Sequence, residues 1–143
     1  LIDKVRCAVD TSVAVPLLVA SHEAHQAVRL WAADRSLVLS GHALVETYSV
    51  LTRLPGDARV APADAVMLID ENFASSLVLS PDAASGAHRS LARLGISGGG
   101  TYDALVAMAA HEHGLVLATR DARARPTYEA VGVRVEVIAG GSE

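Results

Sequence analysis

Four carboxylates stand where solvent-facing acids are not expected. Asp10 ends the apolar run CAVD, Glu46 lies within ALVETYSVL, Asp103 follows GGGTY at the head of the most apolar stretch, and Asp121 closes LATRD. Glu46 has no Lys or Arg three or four residues away, where a helix would place a partner. Asp103 is followed at those spacings by Val106 and Ala107. An acid in apolar surroundings without a basic partner needs other compensation. Two carboxylates about 4 Å apart repel by roughly 4 kcal/mol at an effective dielectric near 20, and a divalent cation removes that cost. Hard oxygen ligands without a His or Cys cluster favour Mg²⁺ or Mn²⁺ over Zn²⁺. One or two such ions can bridge a phosphodiester oxygen, lower the pKa of a water and stabilise the leaving oxygen, with no nucleophilic side chain required.

Taken singly, each acid has a plainer role. Asp10 and Asp121 suit the N-caps of the helices expected after them. Asp103 suits a helix N-terminus through the dipole, and Glu46 suits an exposed helix face. Other chemistries find no support. The GGGT run lacks the spacing and the Lys of a phosphate-binding loop, and there is no GxSxG elbow. His111 and His113 do not form an HExxH motif, and Cys7 has no partner for zinc. His22 and His25 have helical spacing and read as a solvated face. A phosphatase built on Asp10 would want a second Asp where Ser12 stands, and a receiver-like domain would want a Lys after a late strand.

The elements that must position these acids alternate along the chain. Strands are expected at 5–9, 37–39, 77–79, 115–118 and 133–138. Helices are expected at 12–20, 22–33, 42–54, 62–73, 82–94, 101–113 and 121–131. The helical stretches carry apolar spacing or end signals such as Pro62 at a first turn and Gly114 after a last one. Strand–helix alternation with apolar runs that do not alternate predicts an α/β fold with a mainly parallel sheet covered on both faces. Ligands of such sheets bind outside the carboxyl ends of the strands. Asp10 and Asp121 both fall there.

Composition bounds the rest. With 143 residues, 51% of them apolar, the chain suits one domain with a single core. Residues 1–138 are read as that domain and 139–143 as a tail. A net charge of −4 provides no overall positive field for nucleic acid. All basic residues but Lys4 are Arg. Arg120, Arg123 and Arg125 around Asp121, and Arg53 two turns beyond Glu46, offer local phosphate contacts. The single cysteine, Cys7, reads as buried filler. LIDKVR does not read as a secretory leader, and no apolar run is long enough to span a membrane, so a cytoplasmic domain is expected.

The motifs VDTSV, ALVETYSVLTRL, GGGTYDALVAMAAHEHG and LVLATRDARA, in that order and spacing, resemble PIN-domain ribonucleases of the VapC-like toxins of toxin–antitoxin pairs. The resemblance covers nearly the whole chain. It implies an α/β/α sandwich, with a central parallel sheet whose carboxyl edge gathers the acids in a groove. It also implies hydrolysis of RNA with Mg²⁺ or Mn²⁺. Asp10, Glu46, Asp103 and Asp121 would hold the metal and activate water, with Ser12 and Thr119 in support. A cognate antitoxin would lay its C-terminal segment in the groove, an Arg pairing with the acids in place of the metal, and the protein would be a homodimer. The alternative is a PIN-like module that binds RNA or protein without cutting.

Overall fold

A computed structural model describes residues 4–138. The expected tail at 139–143 lies outside the described residues. Five parallel strands form one sheet in the order β3-β2-β1-β4-β5, with β1 (Val5–Val9) at its centre. On one side lie β2 (Arg35–Ser40) and the two-residue β3 (Ser76–Leu77). On the other lie β4 (Leu117–Thr119) and β5 (Val135–Val137). Cys7, Ala8 and Val9 are buried consecutively, as are Leu37 to Ser40 and Leu117 to Thr119. Burial without alternation means that both faces are covered, as read from the sequence. Each fully buried Val or Leu here contributes roughly 1.5–3 kcal/mol.

Among the described residues, eight α-helices surround the sheet: α1 (Thr11–Leu18), α2 (His25–Ala32), α3 (Ala43–Thr52), α4 (Pro62–Asn72), α5 (Pro81–Ser85), α6 (Ala87–Leu94), α7 (Gly100–Glu112) and α8 (Arg125–Val131). Helix α1 packs with α3 and α4, and α7 with α8. The chain builds outward from β1 through β2 to β3, then returns by α5–α7 to lay β4 against the opposite side of β1. Strand order therefore reverses between β1 and β4, and their carboxyl ends open the crevice typical of such sheets. The seam is short: Ala8 pairs with Leu117 and Val9 with Ala118. No helix among the described residues is long and apolar enough to cross a membrane.

Several boundaries differ from the sequence expectation for local reasons. The helix expected at 82–94 is two, broken at Gly86. The second helix, expected from His22, starts at His25: the His22 Nδ1 accepts the Ala24 N–H at 3.0 Å and holds a turn instead. The His25 Nδ1 lies 2.8 Å from the Pro16 carbonyl oxygen, and since a carbonyl only accepts, the ring nitrogen is the donor. The two histidines thus fasten loops and are not simply a solvated pair. The final helix starts at Arg125, not Asp121, because the Asp121 carboxylate takes the Arg123 N–H at 3.0 Å and forms a turn.

The end of β2 is fixed against α7. Ser40, fully buried, donates its hydroxyl to the Val106 carbonyl at 2.6 Å. Gly41 follows with φ +54°, and a Cβ there would lie 3.2 Å from both the Ala109 Cβ and the Leu105 carbonyl oxygen. This close approach sets the distance between α3 and α7, which carry Glu46 and Asp103. Gly41→Ala is expected to destabilise the protein by at least about 1–2 kcal/mol, the cost of a left-handed non-glycine residue. Urea denaturation measures it, and an unchanged midpoint would refute the tight-approach argument.

Candidate active site

Asp10 follows the last residue of β1 and is 5% exposed. It occupies the N-cap position of α1, but its side chain does not cap the helix. Its backbone carbonyl accepts from Val13 and Ala14, while its carboxylate turns to other donors. Oδ1 accepts the Ser12 hydroxyl at 2.6 Å and Oδ2 accepts the Tyr128 hydroxyl at 2.7 Å.

These contacts fix the direction of a chain of hydroxyls. Ser12 has one proton, and it goes to Asp10. The 3.2 Å contact between Ser12 Oγ and Thr119 Oγ1 must then have Thr119 as donor. Ser12 Oγ also accepts the Arg120 N–H at 2.8 Å, and Thr119 Oγ1 accepts the Asp121 N–H at 3.0 Å. Each donor points toward Asp10, so the network is arranged for an ionised carboxylate. Burial pushes the Asp10 pKa up all the same, against the opposing hydrogen bonds from the Ser12 and Tyr128 hydroxyls. Burying a lone ion costs several kcal/mol, and hydrogen bonds to a charged group return roughly 1.5–3 kcal/mol each. The balance is close.

Asp103 lies in the first turn of α7 and is partly buried. Its pKa is raised by burial first, then by the negative charges of Asp121, Glu46 and Asp10, with Arg123 opposing. The four acids read from the sequence therefore act on one another electrostatically. Glu46 differs from expectation in one respect: it is exposed, not set in apolar surroundings. It stands in the first turn of α3, where its Oε1 accepts the Thr11 hydroxyl at 2.7 Å. Asp121 pairs with the Arg123 Nε at 3.4 Å. Among the described residues, no three or more His, Cys, Asp or Glu side chains are gathered closely enough to hold a metal ion as they stand. Asp10, Glu46 and Asp121 each accept a hydrogen bond from the protein.

The structure places Ser12 against Asp10 and Thr119 against Ser12. Of the four arginines, Arg123 touches an acid of the site. Arg125 pairs with Glu129 at 2.8 Å, and Arg53 donates to the Ser49 hydroxyl at 2.7 Å. Arg120 enters through its backbone N–H. Sequence reasoning missed Tyr128, whose spacing from Asp10 carries no signal. An isolated aromatic residue on the last helix of an aromatic-poor chain was the available hint. It also missed Thr11 as the partner of Glu46. A groove of about 470 Å³ adjoins the acids, lined by His42, Val45, Glu46, Ser49, Tyr102 and Asp103 together with Gly99.

The sequence model of the PIN domain family matches residues 7–129. The chain is 60% identical over 132 residues to ribonuclease VapC27 of Mycobacterium tuberculosis (strain ATCC 25618 / H37Rv), across 92% of this chain and 96% of that protein. It is 47% identical over 131 residues to ribonuclease VapC40 of Mycobacterium tuberculosis (strain CDC 1551 / Oshkosh), across 90% and 96%. Among solved structures, FitAB bound to an IR36 DNA fragment superposes with a TM-score of 0.66 at 18% identity, covering 96% of this chain and 98% of that one. FitAcB from Neisseria gonorrhoeae superposes at 0.61 with 22% identity, covering 90% and 95%. At those identities the likeness is one of fold.

Two outcomes follow from the electrostatics. Tyr128→Phe removes one of two direct donors to a buried carboxylate and is expected to cost about 1.5–3 kcal/mol at neutral pH, read by urea denaturation. The second concerns pH. Asp10 and Asp103 have folded pKa values above their ordinary 3.8, so between 3.8 and those raised values the folded state holds more protons than the unfolded one. Stability in EDTA should therefore fall as pH rises from about 3.8 through the folded pKa values, then level off. Asp103→Asn should shrink that fall and exceed the parent protein in stability at pH 7. Matching stability–pH curves for the two proteins would contradict the clustered-charge account.

Proposed function

Since the chain belongs to the PIN-domain family, and within it resembles the VapC ribonucleases, we propose that it is a metal-dependent endoribonuclease acting as the toxin of a toxin–antitoxin pair. The observation that carries this reading is the mutual repulsion at Asp103: three further carboxylates raise its pKa at the carboxyl edge of the sheet. A divalent cation would relieve that repulsion. The donor set is all carboxylate oxygen, which fits Mg²⁺ or Mn²⁺. Asp10, Glu46, Asp103 and Asp121 would hold it. Glu46 and Asp121 would exchange exposed partners for it, a small cost because exposed pairs are worth about 0–1 kcal/mol. Bound there, the ion supplies charge that polarises the phosphodiester and makes a water more acidic.

The chain's own residues do the rest. Ser12 and Thr119 keep the Asp10 carboxylate ionised and fixed in orientation through their ordered protons. Tyr128 closes the buried side of that carboxylate and excludes water from it. Asp103, half-buried and raised in pKa, is the acid best placed to take a proton from the attacking water. Arg120 and Arg123 are the nearest candidates for RNA phosphates; Arg53 and Arg125 are held by neighbours and stand further out in role. The partner would be an antitoxin whose C-terminal segment enters the groove and presents an Arg to the acids. The protein would act as a homodimer in the cytoplasm.

The test uses purified, antitoxin-free protein and total small RNA, with Mg²⁺, Mn²⁺ or EDTA. Discrete fragments are expected with either metal and none with EDTA. Asp10→Ala and Asp103→Asn should each lower the rate by at least about 100-fold. Metal binding without any cleavage would instead favour the non-catalytic binding module.

A further inference from the structure

The groove beside the acids has a lining that the hydrolytic chemistry does not use. His42 and Tyr102 pack against each other in its wall, ring centroids 5.3 Å apart and planes tilted by 34°. Tyr102 is 58% exposed, as is Val45 beside it, so an aromatic ring and an apolar side chain are open to solvent next to two carboxylates. We propose that this groove is a nucleobase subsite, in which one unpaired base of the RNA stacks on Tyr102 and His42 beside the phosphodiester to be cleaved.

The charge of the lining selects the occupant. The groove carries Glu46 and Asp103 and no Lys or Arg, so a phosphate is repelled from it, whereas a base is uncharged and has a π-face. The rings are tied to the acids by chain geometry. Tyr102 directly precedes Asp103, and His42 stands one turn before Glu46, its carbonyl accepting the Glu46 N–H at 3.1 Å. One helical turn is about 5.4 Å, so a base on the rings belongs to a nucleotide adjoining the scissile phosphate. The mutual contact of the rings orders both before RNA arrives, which lowers the entropy cost of binding. Single-stranded segments of RNA are commonly recognised by bases splayed onto aromatic side chains.

This inference rests on the ribonuclease reading, and the experiment separates the two. Cleavage of total small RNA is measured for the parent protein, Tyr102→Phe and Tyr102→Ala, with thermal melting of each. Stacking on one aromatic corresponds to about a 5- to 100-fold effect. Tyr102→Ala should raise KM by that factor with kcat nearly kept, the same fragments and the same melting temperature, while Tyr102→Phe behaves as the parent. In a second arm, short single-stranded oligoribonucleotides carrying one 2-aminopurine, moved position by position, are bound to Asp103→Asn protein in Mg²⁺. Quenching at one position, lost on adding Tyr102→Ala, is expected. Unchanged cleavage by Tyr102→Ala, equal losses in both Tyr102 variants, or loss of kcat together with melting temperature would overturn the subsite. No cleavage by the parent protein would sink the ribonuclease reading, and the quenching arm would still decide the stacking.

Discussion

The Asp10 carboxylate lies buried at the end of the central strand and takes a hydroxyl proton on each oxygen. To keep such a charge away from water, the protein must deliver donors from distant parts of the chain. Ser12 comes from the first turn of α1 and Tyr128 from α8, with Thr119 at the end of β4 behind Ser12. Thr119, and Tyr128 on the helix that follows β4, depend on the parallel sheet bringing β1 and β4 together at a point where strand order reverses, while Ser12 lies two residues beyond Asp10 in the chain. The fold and the site are thus one constraint: without that adjacency the charge would keep only the local Ser12 hydroxyl, and without the partners the adjacency would leave a buried ion.

The other acids obey a different rule. They stand near the surface, where water and modest contacts keep each tolerable, and their repulsion converges on Asp103. Glu46 rests on Thr11 and Asp121 on Arg123. These are replaceable contacts. The site therefore combines one carboxylate whose orientation is fixed by buried hydrogen bonds with others able to turn toward an incoming cation or an arginine.

Much of this was legible in the sequence, for reasons that can be named. The short apolar strands lack alternation because both faces of the sheet are covered, and that property predicted a parallel α/β arrangement. The acids stood out because their neighbours in sequence were apolar. That inference succeeded for Asp10, which is buried, and misled for Glu46, which is exposed together with its neighbour Val45 while Ala43 and Thr47 of α3 are buried. The start of α8 was misplaced because a side chain, not a propensity, ends the turn after β4: Asp121 captures the Arg123 N–H. Tyr128 was invisible because its role depends on a contact 118 residues away in the chain, and no local periodicity encodes such a pairing. Tyr102, one residue before Asp103 in its motif, gave no local sign that it is exposed beside the acids.

The short ladder between β1 and β4 joins two portions of the sheet that are built in opposite directions along the chain. Only two residue pairs define its register, Ala8 with Leu117 and Val9 with Ala118. Beyond them, the Asp10 N–H reaches the Ala118 carbonyl at 3.4 Å, and Ser12 then takes over with the Arg120 N–H and the Thr119 hydroxyl. The side chains that dress the site therefore also act as the clasp of the sheet. One buried side chain is thereby fastened on both sides of the seam, to α1 through Ser12 and to α8 through Tyr128.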